Sequence, residues 1–154
     1  MCDYSMMAIS NRLAMEGEEL AAHRFNSGSV GLVARPDLDK WRQSQPRGIW
    51  QRLECLFASP AEPSPVVCIP PGAALRLYEI PASLRQRYFI GEQETVRFRQ
   101  ISPDAAGSYR DAITFANGRT ILLQRLPEGQ RIRVLWLESQ EEEQEPEFEM
   151  KLAA

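Results

Sequence analysis

The chain of 154 residues is poor in the groups that most active-site chemistry needs. It has one histidine, His23, and three cysteines, Cys2, Cys55 and Cys68. There is no C-x-x-C or H-x-x-x-H spacing, and structural zinc wants four nitrogen or sulfur ligands, so no metal site is expected. A Gly-rich phosphate loop and the G-x-S-x-G elbow of serine hydrolases are missing, and no cofactor is expected. The odd, sparse cysteines do not read as a disulfide framework. No apolar run approaches the length that crosses a bilayer, so no membrane span is expected. The first fifteen residues include Asp3, Asn11 and Arg12 and lack an apolar stretch, so no secretory signal is expected either. The expected compartment is the reducing cytoplasm.

Lysine is scarce as well. Lys40 and Lys151 stand against 16 arginines. The guanidinium is a planar fork suited to anions, although a GC-rich genome gives the same bias. The net charge of −3 hides an uneven distribution. From Glu138 onward there are seven acids and one base, a net of −6, which leaves +3 for the rest. The overall balance therefore points to neither nucleic acid nor an anionic membrane.

What is present is a strand grammar. At 44% hydrophobic and 25% charged, the chain has enough apolar material for one globular core. Val96 and Phe98 alternate with Arg97 and Arg99. Ile113 and Phe115 precede Asn117-Gly118, and Ile121 and Leu123 follow it, a strong hairpin signal in which both turn residues take positive φ. Ile132, Val134 and Trp136 share a face opposite Arg131 and Arg133. Residues 94–137 thus read as an antiparallel meander with one wet face. Shorter strands are expected at 18–25, 29–35, 66–69 and 75–80, while residues 82–89 suit a helical turn or an irregular edge. Between them, Leu38 and Trp41, then Ile49, Trp50, Leu53 and Phe57, fall at helical spacing, broken by Pro46. The expected fold is mainly β: a small antiparallel barrel or sandwich of about eight short strands with a helical insertion. Residues 1–138 form one β-rich domain, with 36–65 a helical and Pro-rich insertion. Residues 139–154 are an acidic tail expected to be flexible.

Few residues offer chemistry. Aminopeptidases remove Met1 when the next side chain is small, which would leave Cys2 with a free α-amine beside its thiol. The amine can take the thiol proton, as in N-terminal-nucleophile catalysis. His23, the only imidazole, is the other candidate to activate Cys2. In its first two residues the chain resembles glutamine amidotransferases that start Met-Cys-Gly, and it departs at Asp3. The bland alternative is a packed Cys2 and a partly buried structural His23. Cys68 lies in the apolar run Val66–Ile69 and reads as a core residue, or as the partner of Cys2 in a redox pair. Arg97, Arg99, Arg131 and Arg133 form a cationic sheet face. RNA-binding sheets interleave such cations with exposed aromatics, but Phe98, Phe115 and Trp136 read as facing the other way, so nucleic acid is not the expected partner. The segment carrying Trp41 and Trp50 is the candidate surface for a protein partner.

Several pieces together resemble a family of small uncharacterised bacterial proteins. They are Met1-Cys2-Asp3-Tyr4-Ser5, the run Val67-Cys68-Ile69-Pro70-Pro71-Gly72, the hairpin from Asp111 to Gly118, and Leu126-Pro127-Glu128-Gly129-Gln130. The resemblance implies a compact bacterial cytosolic domain, draws attention to Cys2 and Cys68, and implies no particular activity. With no complete catalytic set in view, the expected function is a non-enzymatic binding or interaction module. The alternatives are an N-terminal-cysteine amide or ester hydrolase or transferase, and a thiol redox sensor using Cys2 and Cys68.

Overall fold

A computed structural model describes residues 9–45, 62–101 and 110–137. Cys2, Trp50, Cys55, the second half of the helical insertion and the acidic tail lie outside the described residues.

Nine described strands form one mixed sheet: β1 (Asn11–Leu13), β2 (Glu19–Arg24), β3 (Val30–Ala34), β4 (Val66–Cys68), β5 (Ala74–Tyr78), β6 (Glu94–Gln100), β7 (Asp111–Phe115), β8 (Thr120–Leu122) and β9 (Arg131–Trp136). Their spatial order is β1-β4-β3-β2-β9-β5-β6-β7-β8. Every neighbouring pair is antiparallel except β1 with β4. Two helices belong to the described residues, α1 (Arg35–Ser44) and α2 (Ala82–Tyr88). The mainly β expectation holds, but strand pairing does not close the sheet into a barrel, because β1 and β8 are its two ends.

The sheet nevertheless curls around a core. Leu20, Leu32, Leu75, Leu77, Val96, Phe98, Ile113, Ile121, Ile132 and Val134 point to one side and form a single buried cluster. Their alternation with charged or small residues is what drives one face of each strand inward. A 3-10 turn at Leu123–Arg125 follows β8 and reaches β3. There the Gln124 side chain accepts from the Val30 N–H at 2.9 Å and donates to the Val30 carbonyl at 3.3 Å. An amide side chain thus stands in for one strand-to-strand peptide pair across the gap.

Two hairpins share one turn geometry. Gly28 donates to Phe25 O, and Phe25 N–H to Ser29 O, with Gly28 at φ 83°. Gly118 donates to Phe115 O, and Phe115 N–H to Arg119 O, with Gly118 at φ 82°. The Asn117-Gly118 hairpin therefore forms as expected, but only the glycine takes positive φ, the pattern of a type I turn closed by a glycine bulge. This frees the Asn117 amide to donate to the carbonyls of Tyr88 and Phe89, at 2.9 and 3.3 Å. Those contacts, with Arg119 Nη1 donating to Arg87 O at 3.0 Å, hold the end of α2 against the hairpin.

The other face of the sheet carries α1. Leu38 is buried with Ala21, Phe25, Val33 and Val66, and Trp41 and Ile9 pack at the edge of this smaller cluster. Pro36 sits in the first turn, where its missing N–H costs nothing.

At the β1 end, Arg12 hydrogen-bonds Glu18, whose carboxylate also accepts from the Met15 N–H at 3.0 Å. Burial pushes the Glu18 carboxyl up. The hydrogen bonds from Arg12 and Met15 and the Arg12 charge outweigh that and leave it below its ordinary value. A carboxylate with a lowered folded pKa stabilises the fold above its unfolded pKa, about 4.3, and loses that contribution as pH falls through the folded value. Acid unfolding of Glu18→Gln is accordingly expected to show a flatter stability profile below about pH 4 than the parent chain, measured by urea midpoints across an acid series.

Candidate functional site

The four arginines expected to form one cationic face divide into two pairs. On β9, Arg133 Nη2 donates to Glu19 at 2.7 Å, and Arg131 Nη1 donates to Glu79 at 2.8 Å. The hydrogen bond from Arg133 holds the Glu19 carboxyl below its usual range, and the same bond raises Arg133. These two guanidinium groups are already neutralised. On β6, Arg97 and Arg99 are exposed, and no carboxylate among the described residues lies within ion-pairing distance of either. Nor does Arg76, which stands opposite Thr95 on the same side of the β5–β6 pair, have such a partner there.

Arg97 and Arg99 line a cleft of about 320 Å³ with Thr95, Thr114, Ala74 and Trp136. Trp136 is the residue that sequence alternation misplaces. Leu75 pairs with Val134 and Ala74 with Trp136, so one step along β5 spans two steps along β9. Leu135 is the extra residue of a β-bulge. A one-residue slip turns every later side chain to the opposite face. Trp136 therefore leaves the core side, joins the arginines, and is 42% exposed. Leu137 takes the inward place and packs against the main core. The visible trace in the sequence is the run Leu135-Trp136-Leu137, where alternation with polar residues stops. Phe98 and Phe115 do face the core, as expected.

The cleft floor is built for access. Ala74 lies between Arg97 and Trp136 across the sheet, and all three line the cleft. Thr114 pairs with Arg97 on β7, and its hydroxyl shares a hydrogen bond of 2.9 Å with Thr120. Two planar cations, an aromatic surface and a hydroxyl thus converge on one shallow depression. Such a set holds an anion bearing a flat or apolar part.

His23 lies elsewhere and is differently occupied. Its Nδ1 donates to Glu128 at 2.8 Å, and the ring meets Phe25 and Trp41 edge-on, with centroids 4.9 and 5.0 Å apart. Glu128 also accepts from the Arg24 N–H at 2.7 Å and lies 3.8 Å from Arg42. Among the described residues Glu128 is the hydrogen-bond partner of the His23 ring. The group ties β2, α1 and the turn before β9 together, and Trp41 contributes to that packing. Glu128→Ala is expected to lower stability by about 1 kcal/mol, read from urea unfolding, because His23 is left buried without its acceptor.

A second cleft among the described residues, about 650 Å³, is lined by Arg12, Glu18, Glu19, Arg35, Asp37 and Asp39, among others. Its charges are mixed and partly paired, so it presents no field of one sign. Among the described residues no group of three His, Cys, Asp or Glu could hold a metal ion. None of the described helices is long and apolar enough to cross a membrane.

Cys68 is buried in β4 and is disulfide-bonded, which the odd cysteine count did not foresee. Cys2 and Cys55 lie outside the described residues, and so does the meeting of Cys2 with His23 that N-terminal-cysteine catalysis would need.

Comparison with family models, curated proteins and solved structures finds no match for the chain.

Proposed function

We propose that the protein is a non-enzymatic interaction module that binds an acidic segment of a protein partner at the Arg97–Arg99–Trp136 cleft. The observation that carries this reading is the bulge at Leu135, which sets an exposed indole beside two arginines that no described carboxylate neutralises. His23 supports it from the other side, since its ring is committed to Glu128 and to aromatic packing. The sequence offered the segment carrying Trp41 and Trp50 for a protein partner; Trp41 packs on the small cluster under α1, Trp50 lies outside the described residues, and this reading places the partner at Trp136 instead. Arg131 and Arg133 act as the paired flank of the site.

The test is a pair of titrations by fluorescence anisotropy, one with labelled hexaglutamate and one with labelled oligothymidylate. Salt-sensitive binding of the peptide, with weaker binding of the oligonucleotide, supports the reading. Preferential binding of the oligonucleotide would replace the acidic protein partner with single-stranded nucleic acid, since Trp136 is exposed for stacking.

A second reading, thiol–disulfide switching at Cys68, is favoured by the disulfide bond that residue makes. A dithiol reductant that opens the bond leaves two protein thiols and is itself oxidised to a disulfide. Peptide mapping of the unreduced protein identifies whether Cys2 or Cys55 is joined to Cys68. Finding Cys68 alkylated before reduction removes this reading.

A further inference from the structure

The proposed cleft lies at the C-terminal end of strand β9, in the interior of the strand order. Trp136 closes β9, and Leu137 is the last described residue of the strand's exit. The sequence continues at once with Glu138, and residues 138–154 carry seven glutamates against Lys151. Arg97, Arg99 and Arg76 are meanwhile the cations on this face that lack a described carboxylate, whereas Arg131 and Arg133 have theirs. We infer that the resident occupant of the Arg97–Arg99–Trp136 cleft is the chain's own acidic segment, residues 138–154. The inference rests on the reading of that cleft as a site for acidic segments.

Three physical arguments support it. The first is proximity. Arg97 lies two strands from Trp136, with β5 between them, so the separation is about 10 Å. Even a few residues past Leu137 span that distance at about 3.4 Å each. The second is concentration. A segment tethered this closely acts at an effective concentration on the order of millimolar, far above that of most free ligands. The third is charge. The segment's net of −6 is the largest block of one sign in the sequence, and it is attached beside cations that no described carboxylate neutralises. An external acidic ligand must displace this internal copy. The full chain is therefore self-competed, and its apparent affinity is reduced by the share of time the cleft is filled.

The test keeps the full chain and removes only the charge. One variant carries glutamine in place of Glu138, Glu141, Glu142, Glu143, Glu145, Glu147 and Glu149. Amide and side-chain NMR then follows the Arg97 and Arg99 Nε–H groups and the Trp136 indole N–H. The inference expects these signals to differ between parent and variant at about 20 mM salt and to converge at about 0.5 M, where attraction is screened. It also expects hexaglutamate to bind the variant about tenfold more tightly. Because the substitutions raise the net charge everywhere, that gain must vanish when Arg97→Gln and Arg99→Gln are added.

Equal binding by parent and variant, with unmoved signals, overturns the inference and leaves the cleft's ligand class standing. Absence of hexaglutamate binding in both overturns the reading of the cleft, and the inference falls with it. A signal difference that grows with protein concentration overturns the internal occupant in favour of the tail of a second copy.

Discussion

Exchanging Arg97 and Arg99 together for glutamine is expected to weaken hexaglutamate binding about 100-fold at low salt, with no change in the urea midpoint. Each charge-assisted hydrogen bond lost is worth about 1.5–3 kcal/mol, and the pair is read through one ligand. Stability is spared because both side chains are exposed and no described carboxylate depends on them. The corresponding change at Arg131 and Arg133 behaves differently. It frees Glu19 and Glu79 and leaves hexaglutamate affinity within about threefold, since those cations are already occupied. Anisotropy titrations on the two double variants separate the halves of a face that looks uniform in sequence.

Between those two arginines sits the residue with the largest expected effect on stability. Phe98→Ala is expected to cost about 3–5 kcal/mol, measured by urea denaturation. Phe98 is 2% exposed, pairs with Ile113 across β6 and β7, and belongs to the main core cluster. Its removal strips apolar contacts and leaves a cavity in the centre of a sheet that strand pairing does not close. Of that total, the pocket's share is small, because Phe98 points away from the cleft. If the variant remains folded at low temperature, its hexaglutamate affinity should match the parent's. Adjacent positions on one strand thus give opposite phenotypes, stability without binding and binding without stability, as a pleat with two different faces requires.

Much of this fold was legible because period-two alternation is a local signal. Val96, Phe98, Ile113, Ile121, Ile132 and Val134 announce their own facing, and the glycines at 28 and 118 mark the two hairpins. Less legible were features that depend on a distant strand. The bulge at Leu135 exists through the register of β9 against β5, some sixty positions earlier in the chain, so alternation carried Trp136 to the wrong face. Strand β1 was missed because Asn11-Arg12-Leu13 has no alternation of its own and is held by pairing with Val66–Cys68. Whether the sheet closes is likewise a matter of which strands meet, and it is the turn after β8 that reaches β3, through the Gln124 side chain. The histidine's role was half visible. Its strand position was clear, but its acceptor, Glu128, lies in a turn 105 residues away.

Phe89 shows the same limit. It is 74% exposed and takes a left-handed φ of 53°, a conformation unfavourable for an aromatic residue. The Asn117 amide holds its carbonyl, and the Arg119 guanidinium lies over its ring at 4.4 Å. Nothing in residues 82–89 alone reveals those two partners.

The most direct measurement is an NMR titration that watches the three tryptophan indole N–H signals as hexaglutamate is added. The account predicts that the Trp136 signal moves in the parent chain, that it stays still in the Arg97→Gln, Arg99→Gln variant, and that the Trp41 signal moves in neither. A Trp136 signal that stays fixed while Trp41 or Trp50 responds would contradict it.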